Sequence, residues 1–157
     1  MKKLLSVDQT IANRDIAILL LRVTVGALML SHGIPKLISL FSGNIQFPAI
    51  FGLSADLSLS LAVFAEVICS FLLIFGIGTR LAAIPLIITM LVAVFYVHAD
   101  DPFARQEPGI LYLLPYVILF ITGSGKYSID YLLQRKSLKP VHQKTSVEEP
   151  TLNVYSH

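Results

Sequence analysis

The sequence predicts an all-α integral membrane protein folded as a four-helix bundle, and three observations point to it. Of the 157 residues, 55% are hydrophobic and only 14% are charged, and a soluble domain with that balance would expose large apolar patches. Long apolar runs alternate with short polar connections. Pro85 and Pro115 lie inside two of these runs, where packed membrane helices tolerate proline better than exposed soluble helices do.

Four apolar runs approach the length of about 20 residues that a membrane span requires. They cover residues 16–38, 57–78, 80–99 and 108–123. Between the first two lies SLFSGNIQFPAIFGLSAD, which Gly and Pro interrupt too often for a span and which is too apolar for a simple solvated loop. We therefore expect an interfacial or partly re-entrant segment there. The short join GIGTR predicts that the second and third helices are antiparallel neighbours.

The basic residues predict the orientation, because cytoplasmic flanks carry an excess of Lys and Arg. Nine of the twelve basic residues fall on one side: Lys2, Lys3, Arg14, Arg80, Lys126, Arg135, Lys136, Lys139 and Lys144. Both termini are thus predicted to be cytoplasmic. Residues 1–136 form the predicted membrane domain, and the polar, aperiodic residues 137–157 are predicted to be a disordered tail.

Ionisable side chains interrupt the apolar runs. Arg22, Gly26, Met29, Gly33 and Lys36 recur at spacings that place them on one helical face. This face is expected to point into the bundle, because an unpaired charge in hydrocarbon costs several kcal/mol. The helical rise puts Arg22 within about 7 Å of Glu66 in depth. The sequence therefore predicts an Arg22–Glu66 ion pair, which serves either to fix helix register or to form a proton or substrate site.

An internal polar pocket that opens outward is predicted, with ionisable residues along its walls: Arg22, His32, Lys36, Glu66, His98 and Glu107. Two histidines at similar depth are the minimum for bis-imidazole haem ligation. A quinone head group is the better candidate, since it needs a donor to a carbonyl oxygen and a nearby carboxylate. Tyr96 or Tyr112 would supply a wall.

Metal and thiol chemistry find less support in the sequence. Asp100, Asp101 and Glu107 show no EF-hand spacing, so we interpret HADDPFARQEPG as a solvated loop that leaves Glu107 and His98 at the mouth of the pocket. Cys69 is the one cysteine of the chain, which excludes an internal disulfide, a CxxC motif and a thiolate cluster. A net charge of +2, spread toward the chain ends, excludes a nucleic-acid-binding surface.

Three segments together resemble the DoxX family of small bacterial and archaeal membrane proteins. They are LLRVTVGALMLSHGIPKLISLF, FAEVICSFLLIFGIGTRLAAIPLIITMLVAVFYVH and GKYSIDYLL. The family pattern comprises an LLR start, a HGxxK end to the first helix, an AE pair in the second, a GxxTR turn, a histidine closing the third and a G-(R/K)-(Y/W)-S-x-D exit. All six features occur in this order, and the resemblance covers residues 17–133.

The resemblance implies a four-helix membrane bundle with a link to redox chemistry. Relatives occur as subunits of a thiosulfate:quinone oxidoreductase or terminal quinol oxidase and in oxidative-stress membrane complexes. We therefore expect a subunit of a quinone-linked system, with other membrane or peripheral redox subunits, or a second copy of the chain, as partners. Glu66 would handle protons, His32 and His98 would orient the bound group, and Arg22 would keep Glu66 ionised. The alternative is a non-enzymatic transport, cargo-binding or scaffold protein that uses the same cavity.

Overall fold

A computed structural model of the chain describes residues 11–137, and this range consists of helices and short connections without a β-strand. The helices are Ile11–Ser42 (first), Ala55–Phe75 (second), Thr79–Val97 (third), Phe103–Thr122 (fourth) and Ile129–Ser137 (C-terminal). The predicted all-α fold is confirmed. The predicted disordered tail, apart from Ser137, and the basic residues Lys2, Lys3, Lys139 and Lys144 lie outside the described residues.

The first, second and third helices are long and apolar enough to cross a membrane, over Asn13–Ser42, Ala55–Phe75 and Thr79–Val97. The fourth helix packs along the third and begins at Phe103, several residues before the predicted start at residue 108. The length and apolar composition of the first three helices make the chain a helical membrane protein. A fourth span and the cytoplasmic position of both termini stay predictions.

The predicted tight turn between the second and third helices is confirmed. Gly76 and Gly78 adopt positive φ angles of 68° and 54°, a conformation that glycine reaches without the steric cost of a Cβ atom. The N–H of Ile77 donates to the carbonyl of Leu72, which ends the second helix in the manner of a glycine C-cap. The two helices consequently run antiparallel.

Two glycines let the first and second helices approach closely, as their shared face predicts. A Cβ atom at Gly26 would lie 2.7 Å from Cγ1 of Ile74, and one at Gly33 would lie 2.8 Å from Cγ2 of Val67. Real Cβ atoms do not tolerate such distances, so the contact depends on small residues. Because Gly33 lies against the backbone of Glu66, the next turn of the first helix brings Lys36 beside that carboxylate.

The apolar core lies between two polar ends of the bundle. Its most buried members come from all four long helices: Met29, Leu73, Leu86, Tyr116 and Leu119. One end, which we name the glycine end, carries Gly76, Gly78, Gly123 and Gly125. The other, which we name the histidine end, carries His32 and His98. Charged side chains are buried at both ends.

Candidate functional site

Arg22 lies at the glycine end, and its side chain is bonded to backbone carbonyls. It is only 1% exposed, and it donates to the carbonyl of Ser124, to that of Tyr127 at 2.8 Å and to that of Ile74 at 3.4 Å. The predicted Arg22–Glu66 ion pair is therefore wrong. The physical reason is that the chain after the fourth helix folds back beside Gly76 and presents free carbonyl groups, which a guanidinium satisfies together.

Two carboxylates complete the cluster at the glycine end. Asp15, 2% exposed, accepts from the backbone N–H of Lys126 at 3.4 Å and lies 3.8 Å from its ammonium group. Asp130 accepts from the N–H of Gly78 at 2.9 Å, and its own N–H donates to the carbonyl of Gly76 at 3.1 Å. These bonds join the first helix, the tight turn and the segment after the fourth helix, so the cluster fixes the fold.

Glu66 is the buried charge of the histidine end, and Lys36 is its partner. Its side chain is 2% exposed, whereas that of Lys36 is 32% exposed. The Lys36 ammonium donates to Oε1 of Glu66. The second carboxylate oxygen, Oε2, is buried and has no hydrogen-bond partner among the described residues. Lys36 thus takes the place that the sequence assigned to Arg22, and it leaves half of the carboxylate unsatisfied.

A cavity of about 200 Å³ lies beside this ion pair, and we name it the polar cavity after the charged and imidazole side chains in its wall; Met29, Met90, Ala93 and Val94 also line it. Its polar and aromatic lining consists of His32, Lys36, Glu66, His98, Arg105, Gln106 and Tyr112. Four of the six residues predicted to line a pocket therefore come together. The cavity is open to the surface, because His32 and Arg105 are exposed.

Arg22 and Glu107 were also expected in this pocket, and the structure places both elsewhere. Arg22 lies at the glycine end, and Glu107 is exposed and absent from the lining. Because the fourth helix begins before residue 107, the helical spacing of three residues brings Gln106, Gly109 and Tyr112 onto the cavity face. Glu107 is rotated away from that face.

His98 is held at the cavity edge by neighbouring polar groups. Its Nδ1 lies 2.7 Å from Oδ2 of Asp101, and Nε2 of Gln106 donates to its carbonyl at 2.8 Å. The hydrogen bond with His98, with a smaller contribution from the charge of Arg105, lowers the pKa of Asp101. Because Asp101 engages Nδ1, Nε2 is the ring nitrogen left to meet a ligand.

Aromatic contacts form one wall of the polar cavity. The rings of His32 and Tyr112 meet edge to face with centroids 5.6 Å apart, and Tyr112 stacks on the buried Tyr116 at 6.3 Å. Tyr112 is therefore a wall residue, as predicted. Tyr96, the other candidate, instead packs against Phe51 at 4.7 Å and lies outside the cavity lining.

A second, apolar cavity of about 330 Å³ adjoins the first. Four residues line both cavities: Lys36, Glu66, Ala93 and His98. The connection of residues 43–54 contributes the side chains of Phe47, Pro48, Ile50, Phe51 and Leu53 to the apolar cavity. The high apolar content of residues 43–54 was the feature of the sequence that fits this role. The sequence did not indicate that this segment contacts the Lys36–Glu66 ion pair. The Lys36 ammonium lies 5.7 Å from the Phe47 ring centroid, in range of a cation–π interaction.

Two π-helical segments position the site, and no sequence pattern indicated them. Phe64–Cys69 contains Glu66, and Ala93–Val97 ends next to His98. An extra residue per turn changes the direction in which the following side chains point, and such segments are frequent at functional sites. A hydrophobic pattern with the ordinary helical period does not reveal this insertion.

Metal ligation has no counterpart in the described part of the chain. Within residues 11–137, no three His, Cys, Asp or Glu side chains are grouped so that they could hold a metal ion. Cys69 is buried, with a free thiol. The histidine end presents a carboxylate, an ammonium and an imidazole group between the polar and the apolar cavity. This arrangement suits an amphipathic small molecule.

Comparison with known proteins gives one family and several relatives. The DoxX family model matches residues 17–99. The chain is 37% identical over 95 residues to an uncharacterized protein of Haemophilus influenzae; the match covers 57% of this chain and 63% of that relative, slightly less than two thirds. It is 32% identical over 117 residues to a Bacillus subtilis protein named putative oxidoreductase CatD, with coverage of 74% and 86%. No solved structure matches the chain.

Proposed function

The chain belongs to the DoxX family of membrane proteins, and we propose that it is a subunit of a quinone-linked oxidoreductase or oxidative-stress complex in the bacterial cytoplasmic membrane. The observation that carries this proposal is the position of Glu66, Lys36 and His98 on the common wall of a polar and an apolar cavity. A buried carboxylate in a membrane protein is costly, and such groups usually serve a function.

The two cavities suit the two parts of a membrane quinone. The polar cavity presents imidazole and carboxylate groups to an oxygenated ring, and Tyr112 offers a face for that ring. The apolar cavity extends beneath residues 43–54 and would accept the start of an isoprenoid tail. In this role His32 and His98 orient the head group, Glu66 exchanges protons with it, and Lys36 forms the ion pair with Glu66.

Electron transfer in this proposal depends on the bound quinone and a partner subunit. Within residues 11–137, no three His, Cys, Asp or Glu side chains are grouped as metal ligands, and Cys69 is buried. The name of the Bacillus subtilis relative, putative oxidoreductase, supports a redox role. A membrane or peripheral redox subunit would complete the electron path.

Titration of the purified protein in detergent with a short-chain quinone analogue tests the proposal. We expect saturable binding that His32→Ala abolishes and that Glu107→Gln leaves unchanged, because Glu107 lies outside the cavity lining. Absence of binding at every concentration, with the analogue oxidised or reduced, would remove the quinone proposal. The cavity would then belong to a transported solute or a partner helix.

A further inference from the structure

We infer that the site selects the reduced, hydroxyl-bearing form of its ligand, a hydroquinone or another substituted phenol, and that Glu66 Oε2 makes this selection. The inference rests on the proposed function and deepens it, since it names the redox form that binds. It concerns binding preference and includes no electron-transfer step.

The two carboxylate oxygens of Glu66 differ in their hydrogen-bond partners. Lys36 donates to Oε1, while Oε2 is buried without a partner. An ionised carboxylate only accepts hydrogen bonds, and a buried acceptor without a donor costs about 1–3 kcal/mol. The group that satisfies Oε2 must therefore bring an O–H or N–H donor. A quinone carbonyl is itself an acceptor and would face Oε2 unfavourably.

Three donors of the polar cavity have acceptors within the protein. The Lys36 ammonium is paired with Glu66, Arg105 donates to Oδ1 of Asp101 at 3.1 Å, and Gln106 donates to the carbonyl of His98 at 2.8 Å. Among the buried side-chain atoms of the lining, the one without a hydrogen-bond partner among the described residues is Glu66 Oε2, which is an acceptor. This asymmetry favours a ligand that donates.

The geometry also sets the orientation of such a ligand. Glu66 lines both cavities, so a hydroxyl bonded to Oε2 places the aromatic ring at their junction. The ring would lie near Tyr112, whose ring meets that of His32 at an interplanar angle of 88°. An apolar substituent would extend toward Phe47 and the rest of the segment that covers the apolar cavity.

The test compares three ligands on the full-length protein in detergent, measured by calorimetry under anaerobic conditions. They are a decyl-substituted benzoquinone, its hydroquinone, and the dimethyl ether of that hydroquinone, which keeps the ring and the tail but has no donor. We expect the hydroquinone to bind at least about 10-fold more tightly than the other two, in line with one buried hydrogen bond to a charged group. Glu66→Gln should remove this preference, Glu66→Asp should retain part of it, and Glu107→Gln should leave it intact.

The possible results separate this inference from the proposed function. If none of the three ligands binds, the proposed quinone site fails. If they bind with equal affinity, or the quinone binds more tightly, the site stands and the selection of the reduced form is overturned. A hydroquinone preference that persists in Glu66→Gln would overturn the role of Glu66. The comparison of ligands on the unmodified protein needs no variant, so a poorly folded variant cannot hide the answer.

Discussion

The glycine end and the histidine end both bury charged side chains, but they satisfy them differently. At the glycine end, both terminal nitrogens of Arg22 bond to backbone carbonyls from two segments of the chain, while Nε of Arg22 and Oδ2 of Asp15 have no hydrogen-bond partner among the described residues. At the histidine end, Glu66 has one side-chain partner and one unsatisfied oxygen beside a cavity. Backbone partners are fixed by the fold itself, whereas an unsatisfied oxygen at a cavity is available to a ligand.

The difference shows that a buried charge in a membrane bundle can serve either the fold or a ligand. Arg22 and Glu66 are equally buried, at 1% and 2% exposure, so burial alone does not distinguish the two roles. The partner groups distinguish the two roles: backbone carbonyls bind Arg22, whereas the ammonium group of Lys36 binds Glu66. Substitutions at the glycine end should therefore change stability first, and substitutions at the histidine end should change ligand binding first.

Replacement of Arg22 with alanine is expected to have the largest effect on stability. It leaves the carbonyls of Ile74, Ser124 and Tyr127 without their donor, and the loss of several buried hydrogen bonds to a charged group should cost about 3 kcal/mol or more. Thermal unfolding in detergent measures the change. Arg80→Ala is the matched control, because Arg80 is exposed and makes one bond, to the carbonyl of Ile121. Equal losses in the two variants would contradict the role of Arg22.

Replacement of Lys36 with methionine should have the next largest effect, because it leaves the Glu66 carboxylate buried without its counter-ion. We expect a loss of about 2 kcal/mol, moderated by the partial exposure of Lys36. The double variant Lys36→Met/Glu66→Gln should recover part of that stability, since no charge then remains unpaired. A double-mutant cycle on unfolding measures the coupling. Additive losses would show that the two side chains do not interact.

Gly33→Ala and Gly26→Ala should both lower stability but should differ in their effect on ligand binding. Each added Cβ would meet the second helix at less than a permitted distance, 2.8 Å at Gly33 and 2.7 Å at Gly26. Both variants should lose about 1–3 kcal/mol of stability. Only Gly33→Ala should also weaken hydroquinone binding, because Gly33 lies against Glu66 whereas Gly26 lies against Ile74. Equal affinity in the two variants would argue against precise placement of Glu66.

Replacement of Asp101 with asparagine is expected to have the smallest effect, and one that depends on pH. The bond to His98 lowers the pKa of Asp101 in the folded protein, so its stabilisation is present above the unfolded-state value of about 4. That stabilisation is lost as the pH falls through the lowered pKa. The melting temperatures of the two proteins should therefore differ at pH 6, and the difference should shrink as the pH falls below about 4. A difference that stays constant over this range would show that the carboxylate charge is not involved.

Much of the fold followed from the sequence, because hydropathy and glycine placement are local signals. The apolar runs predicted the first three helices to within a few residues, except that the first extends to Ile11 and Ser42, beyond its predicted limits. The spacing of Gly26 and Gly33 predicted the close packing of the first two helices. Those features depend on neighbouring residues along the chain, which a single sequence displays directly.

The partners of the buried charges could not be predicted in the same way. Depth estimates placed Arg22 and Glu66 within reach of each other, but the carbonyls that bind Arg22 come from residues more than 100 positions away, Ser124 and Tyr127. Glu107 was misplaced because the start of the fourth helix was assigned too late. The π-helical segments and the contact of residues 43–54 with the ion pair arise from tertiary packing.

Photoaffinity labelling with an azido-substituted benzoquinone, followed by peptide mapping, tests the difference between the two ends most directly. The probe is applied to the protein in its membrane, with and without an excess of unlabelled hydroquinone. The account predicts adducts within residues 47–53 and 92–98, which line the apolar cavity or flank His98, and it predicts that the excess hydroquinone suppresses them. Suppressible adducts confined to residues 122–134 at the glycine end would contradict it.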